Sequence, residues 1–268
     1  MKLQITHETT YNYDAPILGL IQSLRLTPSD YEGQRVGGWK IAVTGGHRGG
    51  TFRDGAGDLI EAWTVRGPIS EVTVAIRGLV ETRDTAGVLR GHRETVHPLV
   101  YLRDTVATAP DAALRDLAGS VQGEDGLDLA HRLSAAVSDA IRYNPGVTET
   151  WTTAAEALAL GEGVCQDHAH ALIACARARG LPARYVSGYL HSSIDGTPHD
   201  AAHAWAEIHT GPLGWVGFDA ANRCCPDDRY VRLGSGFDAG DAAPISGVTL
   251  GQGNESLDVR VAVEEMDQ

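Results

Sequence analysis

Apolar residues recur with two different periods along this chain, and the point where the period changes divides it. From Leu3 to about Arg83, short segments rich in β-branched and aromatic residues alternate with turn residues: Leu3–Tyr13, Gly19–Thr27, Val36–Thr44, Asp58–Val65 and Glu71–Val80. In the last of these Val72, Val74 and Ile76 occupy every second position, so one face of a strand is buried and the other is wet. The pattern predicts a β-sandwich-like N-terminal domain over residues 1–100. Gly45-Gly46 and Gly49-Gly50 mark a loop within it.

Beyond Tyr101 the period becomes helical. Leu129, Leu133, Val137 and Ile141 recur every fourth residue and stop before Asn144-Pro145-Gly146, one apolar face of an amphipathic helix. Thr153-Ala154-Ala155-Glu156 reads as a capping box that opens a short helix closed by Gly161. The next helix starts at Cys165 and runs to Gly180, where Leu181-Pro182 prevents its continuation. Strand-like segments follow at Arg184–Leu190, Ala202–His209, Trp215–Ala220, Tyr230–Leu233 and Leu257–Val263, with the glycine-rich Leu233–Gly253 read as an irregular surface loop. Helices first and an antiparallel sheet afterwards make residues 101–268 an α+β unit.

Composition narrows the partners. With 43% hydrophobic residues in 268, the chain can bury a substantial core without staples. Its 35 acidic against 22 basic residues give a net charge of −13, which repels nucleic-acid backbones and anionic membrane surfaces. The N-terminus shows no apolar run behind a basic start, and no stretch approaches ~18 consecutive apolar residues. A cytoplasmic protein is expected, its four cysteines kept as thiols.

Of these cysteines, Cys165 stands in Gly161-Glu162-Gly163-Val164-Cys165-Gln166-Asp167-His168-Ala169-His170, at the start of a helix. There, free backbone N–H groups and the positive end of the helix dipole stabilise a thiolate over a thiol. A thiolate nucleophile needs a base, and the base needs a group to orient its ring. In the segment Ala202–His209, Ala202, Ala204, Ala206 and Ile208 share one face, and His203, Trp205, Glu207 and His209 share the other. A hairpin symmetric about Gly211 sets His203 directly opposite Asp219, within ~5 Å between Cβ atoms. A one-residue slip would turn Val216 and Phe218 away from the alanine face. The Cys165 helix is then expected against the face that carries His203 and Asp219, with Glu207 and His209 as solvated edge residues.

Other assignments are plainer. Cys175, in mid-helix between Ala174 and Ala176, reads as a buried apolar residue. Cys165, His168, His170, His199, His203, Cys224 and Cys225 are all competent zinc ligands, but their spacing does not converge. Asp227-Asp228 and Asp238 with Asp241 are too sparse for calcium. Neither a metal nor a cofactor is expected. Asp167 reads as a helix-start carboxylate, His168 and His170 as packing residues, and Trp205 and Trp215 as either cleft walls or packing.

Four motifs in order, Gly163–His170, Gly180–Tyr189, His203-Ala204-Trp205 and Gly214–Asp219, resemble those of the bacterial transglutaminase-like superfamily. The opening segment Leu3–Asp14 resembles the β-rich N-terminal region often joined to that core. The resemblance implies a papain-like core with Cys165 as nucleophile, His203 as base and then acid, and Asp219 as orienter. Asp219-Ala220-Ala221-Asn222 stands where Asp-Pro-Thr-Asn is usual. The chemistry implied is attack on a peptide or protein amide, protonation of the leaving amine, and resolution of a thioester by water or by an amine. The Cys165 backbone N–H is the first oxyanion donor; Trp151 and Gln166 are both candidates for the second. Hydrolysis of amide bonds, as by a cysteine protease or amidase, is the leading expectation. Acyl transfer from glutamine to an amine and a non-catalytic peptide-binding module are its rivals.

Overall fold

The computed structural model describes residues 1–191 and 202–266. In chain order the elements are β1 (Lys2–Leu24), β2 (Gln34–Val43), β3 (Gly46–Arg53), β4 (Leu59–Thr82), α1 (Ala112–Ser120), α2 (Gly126–Ala140), β5 (Arg142–Tyr143), α3 (Ala154–Leu160), β6 (Glu162–Gly163), α4 (Cys165–Ala178), β7 (Ala183–Leu190), β8 (Ala202–His209), β9 (Trp215–Phe218), β10 (Tyr230–Gly236), β11 (Ile245–Leu250) and β12 (Glu255–Glu265). Among the described residues no helix is long and apolar enough to cross a membrane.

Two long antiparallel strands, β1 and β4, form the spine of the first sheet. Each was expected as two shorter strands. Instead each runs through a bend, where the register shifts between Asn12 and Ile17. Gly67 lies at this crossing, and a Cβ there would come within 2.2 Å of the Ile17 carbonyl oxygen, so only glycine fits. On one side of the bend the order is β12, β1, β4, β2; on the other it is β11, β1, β4, β3. The two halves share one apolar core that includes Leu3, Ile5, Leu20, Leu24, Val65, Val74 and Ile76, each such side chain contributing roughly 1.5–3 kcal/mol by leaving water.

Three expectations change here. Gly45 does turn the chain, at φ 65° between β2 and β3, but Gly46, Gly49 and Gly50 lie in β3, which pairs with β4. The expected loop at Leu233–Gly253 contains the end of β10 and all of β11. The final strand joins β1 rather than the second sheet, so residues 245–265 return to the N-terminal sheet. β3 meets the start of β4 as a local hairpin, Arg53 facing Leu59, whereas β11 and β12 pair with β1 from the far end of the chain, where local pattern carries no trace of the partner.

The second sheet has the order β10, β7, β8, β9, all antiparallel. The helix signals are met where the sequence puts them. Thr153 and Glu156 form the capping box of α3, and Gly161 closes it at φ 71°. Residues 169–176 of α4 are all buried, which marks a helix enclosed on every side. One side meets Leu114, Leu133, Val137 and Ala157 of the other helices; another meets Ala204, Ala206, Ile208, Val216 and Phe218 of the sheet. Thus α4 lies on the alanine face of β8, not on the face of His203 as expected. Small side chains on both surfaces let helix and strand approach closely.

The opposite face of this sheet meets the N-terminal sheet. Tyr189, Val231 and Leu233 enter the N-terminal core, and beside them lies a buried ionic cluster. Glu207, 3% exposed, accepts from Arg184 Nε at 2.7 Å and from Arg232 Nε at 2.8 Å. Arg184 also reaches Glu94 at 2.5 Å, and Arg232 reaches Asp58 at 2.8 Å. Glu207 is therefore the centre of the junction and not a solvated edge residue. His209 is half-buried, edge-on to Trp215.

Candidate active site

The turn that presents Cys165 is built from its own neighbours. Val164, the residue before α4, has an extended backbone and no side-chain acceptor for the first free N–H groups. Asp167 supplies one, since its Oδ2 accepts from the Val164 N–H at 2.8 Å and from the Thr148 hydroxyl at 2.7 Å. A Cβ on Gly163 would meet that same Oδ2 at 2.7 Å, so glycine is required where the carboxylate folds back. Asp167 is buried; it caps the helix and faces no solvent.

The two histidines after it tether α4. The ring of His168 lies 2.8 Å from the Ile141 carbonyl and 2.9 Å from the Val164 carbonyl. His170 Nε2 accepts from the Ala239 N–H at 3.0 Å, and burial pulls its pKa down to about 4, so it is a neutral ring at physiological pH.

His203, the second residue of β8, hydrogen-bonds Asp219 and lies close enough to Cys165 for the thiol to act on its protonation. Its Nε2 donates to Asp219 Oδ2 at 2.6 Å, which leaves Nδ1 for the sulfur. Burial disfavours the charged ring, yet Asp219 and Cys165 outweigh it and push the His203 pKa up to about 10. Burial also opposes ionisation of Asp219, and His203, Asn222 and Tyr230 reverse the balance and hold its carboxyl below the usual range. The register is not the symmetric one expected. Ala206 faces Phe218 and Ile208 faces Val216, which moves the partner of His203 two residues along. Asp219 meets the imidazole from the diagonal position, after the chain has left the β8 ladder for a tight bridge with Cys224. Cys165 likewise reaches His203 at the ends of their elements, since α4 packs on the other face.

The remaining candidates divide. Gln166 Nε2 donates to the Thr150 carbonyl at 3.0 Å, which ties the preceding loop to the nucleophile segment. Trp151, the next residue of that loop, is 76% exposed. Trp205 is 3% exposed and stacks behind His203 with ring centroids 6.3 Å apart, so it backs the imidazole instead of walling a cleft. Trp215 packs under Arg184 at 4.0 Å and donates to Glu94 at 2.6 Å. Cys175 is buried, its thiol pushed up to about 12 by loss of solvent. Among the described residues no three His, Cys, Asp or Glu side chains converge on a metal position; His199 lies outside the described residues. Asp227 is paired with Arg229, and Asp238 and Asp241 are spent on backbone N–H groups.

Sequence reasoning assigned no role to Asn222 or Tyr230. Asn222 donates from its backbone N–H to Asp219 Oδ1 at 3.1 Å and from Nδ2 to Oδ2 at 2.7 Å; Tyr230 donates to Oδ2 at 2.8 Å. The position of Asn222 three residues after Asp219 is an Asx-turn signal that could have been read. Tyr230 lies across a turn and has no such signal.

Residues 115–220 match the transglutaminase-like superfamily, and residues 3–81 match the bacterial transglutaminase-like N-terminal region. The uncharacterized protein ML0607 of Mycobacterium leprae is 29% identical over 99% of both chains. The uncharacterized protein Rv2569c of Mycobacterium tuberculosis is 30% identical over 98% of this chain and 92% of its own. A crystal structure from Cytophaga hutchinsonii, of a protein named as a candidate cysteine protease, superposes with a TM-score of 0.73 at 22% identity, covering 100% of this chain and 92% of that one. With both of its regions matched in order and a full-length relative at this identity, the chain belongs to the transglutaminase-like superfamily.

Proposed function

We propose that the chain is a cysteine-dependent amide hydrolase, acting on peptide or protein amides through a thioester on Cys165. The observation that carries this reading is His203, hydrogen-bonded to Asp219 and beside Cys165, with its pKa raised by both to about 10. A protonated imidazole beside the sulfur favours the thiolate. Cys165 Sγ attacks the amide carbonyl, and the oxyanion that forms is met by the Cys165 backbone N–H at the helix start. His203 Nδ1–H then protonates the departing amine, the C–N bond breaks, and the acyl group stays on sulfur. In the second half, neutral His203 takes a proton from water, whose oxygen attacks the thioester; the carboxylate leaves and sulfur regains its negative charge beside the imidazolium. Asp219 keeps the proton on Nε2 and so aims Nδ1 at sulfur throughout.

The protease name carried by the Cytophaga protein of the same fold supports water as the acceptor. The test is product analysis on a glutamine-containing peptide, with and without an added primary amine, for wild type and Cys165→Ala. Cleaved or deamidated peptide from wild type alone is the expected result. Incorporation of the amine in preference to water would replace hydrolysis by acyl transfer, and no turnover beside intact peptide binding would make the chain a binding module.

A further inference from the structure

The Tyr230 hydroxyl has one proton and two lone pairs, and the structure accounts for all three. The proton goes to Asp219 Oδ2 at 2.8 Å, because a carboxylate held ionised can only accept. The lone pairs face Asn222 Nδ2 at 3.4 Å and Cys224 Sγ at 3.3 Å. With the hydroxyl proton already spent, the Cys224 thiol is the donor in that last contact. The result is a directional chain from Cys224 S–H to the Tyr230 oxygen, from Tyr230 O–H to Asp219, and from His203 Nε2–H to the same Asp219 oxygen. The Tyr230 ring adds a second constraint, lying edge-on to Trp205 and to His203 with centroids 5.5 and 5.9 Å apart.

We propose that Tyr230, with its hydroxyl locked by Cys224, is a positioning residue that fixes the plane of the Asp219 carboxylate and so holds the imidazole aimed at Cys165. A buried carboxylate can otherwise rotate about its last torsion, which is broad and nearly two-fold. Partial rotation swings the accepting oxygen out of line with His203 Nε2–H and weakens that bond. Three donors converging on one oxygen and one on the other hold the carboxylate at a single torsion. Tyr230 acts through Asp219. This role rests on the reading of Cys165 and His203 as the reactive pair, and the alkylation arm of its test needs no substrate.

The measurement is the rate of Cys165 alkylation by iodoacetamide at pH 7, followed by peptide mass spectrometry, beside kcat and KM on a cleaved peptide. Tyr230→Phe keeps both ring contacts and removes only the hydroxyl. Loss of one hydrogen bond to a charged group, with three others remaining, is expected to slow alkylation and kcat by about tenfold while KM stays within about twofold. Two further variants keep the proposal testable if Tyr230→Phe is poorly folded. Cys224→Ser retains a donor to the Tyr230 oxygen and should match wild type, whereas Cys224→Ala should slow Cys165 alkylation about two- to threefold. Wild-type alkylation in folded Tyr230→Phe, or equal rates for Cys224→Ser and Cys224→Ala, would overturn the proposal. Slowed alkylation in a set of proteins that cleave no peptide would uphold the positioning role and sink the hydrolase reading alone.

Discussion

Removing the charge of Glu207 should loosen the whole molecule, because that carboxylate is shared by two buried guanidiniums that join the sheets. Burial works against its ionisation, yet Arg232 and Arg184 overcome this and bring its pKa from 4.5 down to about 2. The folded-state value is depressed, so the stabilisation is fully present above about pH 4.5 and lost as pH falls towards about 2. That shift corresponds to about 3 kcal/mol at pH 7. An independent figure agrees: removing one partner of a buried ion pair costs about 3–5 kcal/mol. The lower end applies, since Arg184 keeps Glu94 and Arg232 keeps Asp58. Urea unfolding of wild type and Glu207→Gln at pH 7 should therefore differ by about 3 kcal/mol. At pH 3.5 the gap should narrow by roughly 1 kcal/mol, because the unfolded wild type is then largely protonated and the folded one is not. Equal stability at pH 7, or a gap that does not change with pH, would refute the argument that Glu207 is ionised and central to the junction.

Two other perturbations probe the turn before Cys165 and the N-terminal core. Gly163→Ala forces a methyl against the Asp167 carboxylate; a loss of about 1–3 kcal/mol in stability is expected, with peptide cleavage falling further than stability because the helix start moves, and wild-type melting and turnover would show that the close contact is relieved at no cost. His7, bonded to Tyr189 at 2.7 Å and Thr9 at 2.9 Å, is pulled down to about 4 by burial, so the unfolded chain takes the proton first and stability is lost as pH falls from about 6.5 towards 4. Between pH 7 and 5, wild type should lose roughly 2 kcal/mol more than His7→Gln does in urea titrations; parallel pH curves for the two proteins would contradict a neutral, buried His7.

Three of the four α-helices were readable because their signals are local, whereas α1, opened by Asp111, was not read. A capping box spans three residues, Gly161 and Gly180 each adopt a positive φ at a helix end, and Leu181-Pro182 stops the chain where α4 must end. The sheets were readable as strands but not as pairings. β12 has the same alternation whether it joins β1 or β10, and only the shape of the N-terminal core decides. Glu207 shows the same limit for charge. Its parity put it on the face of His203 and Trp205, which suggested solvent, but its partners come from β7 and from β10. No spacing along one strand can reveal counter-charges that arrive from two others.

His203 and Asp219 show why a correct pairing can follow from an incorrect register. Parity excludes a one-residue slip, because Val216 and Phe218 would leave the core, but a two-residue shift keeps every side chain on its face and is invisible to the apolar pattern. The choice between the two registers is made in the hairpin loop, where Thr210 N–H bonds the Gly214 carbonyl at 2.9 Å and Gly214 N–H bonds the Gly211 carbonyl at 3.0 Å. That loop centres the hairpin one residue later than simple symmetry about Gly211. Asp219 still reaches the imidazole because β9 ends at Phe218, and Asp219 then turns into its own bridge with Cys224, through Arg223 at φ 56°. The aim of the carboxylate is thus set by the turn and by Tyr230 rather than by the β8 ladder. It follows that substitutions in the Asp219–Cys224 turn should disturb the His203 contact more than substitutions that weaken the β8 and β9 pairing beyond Ala206.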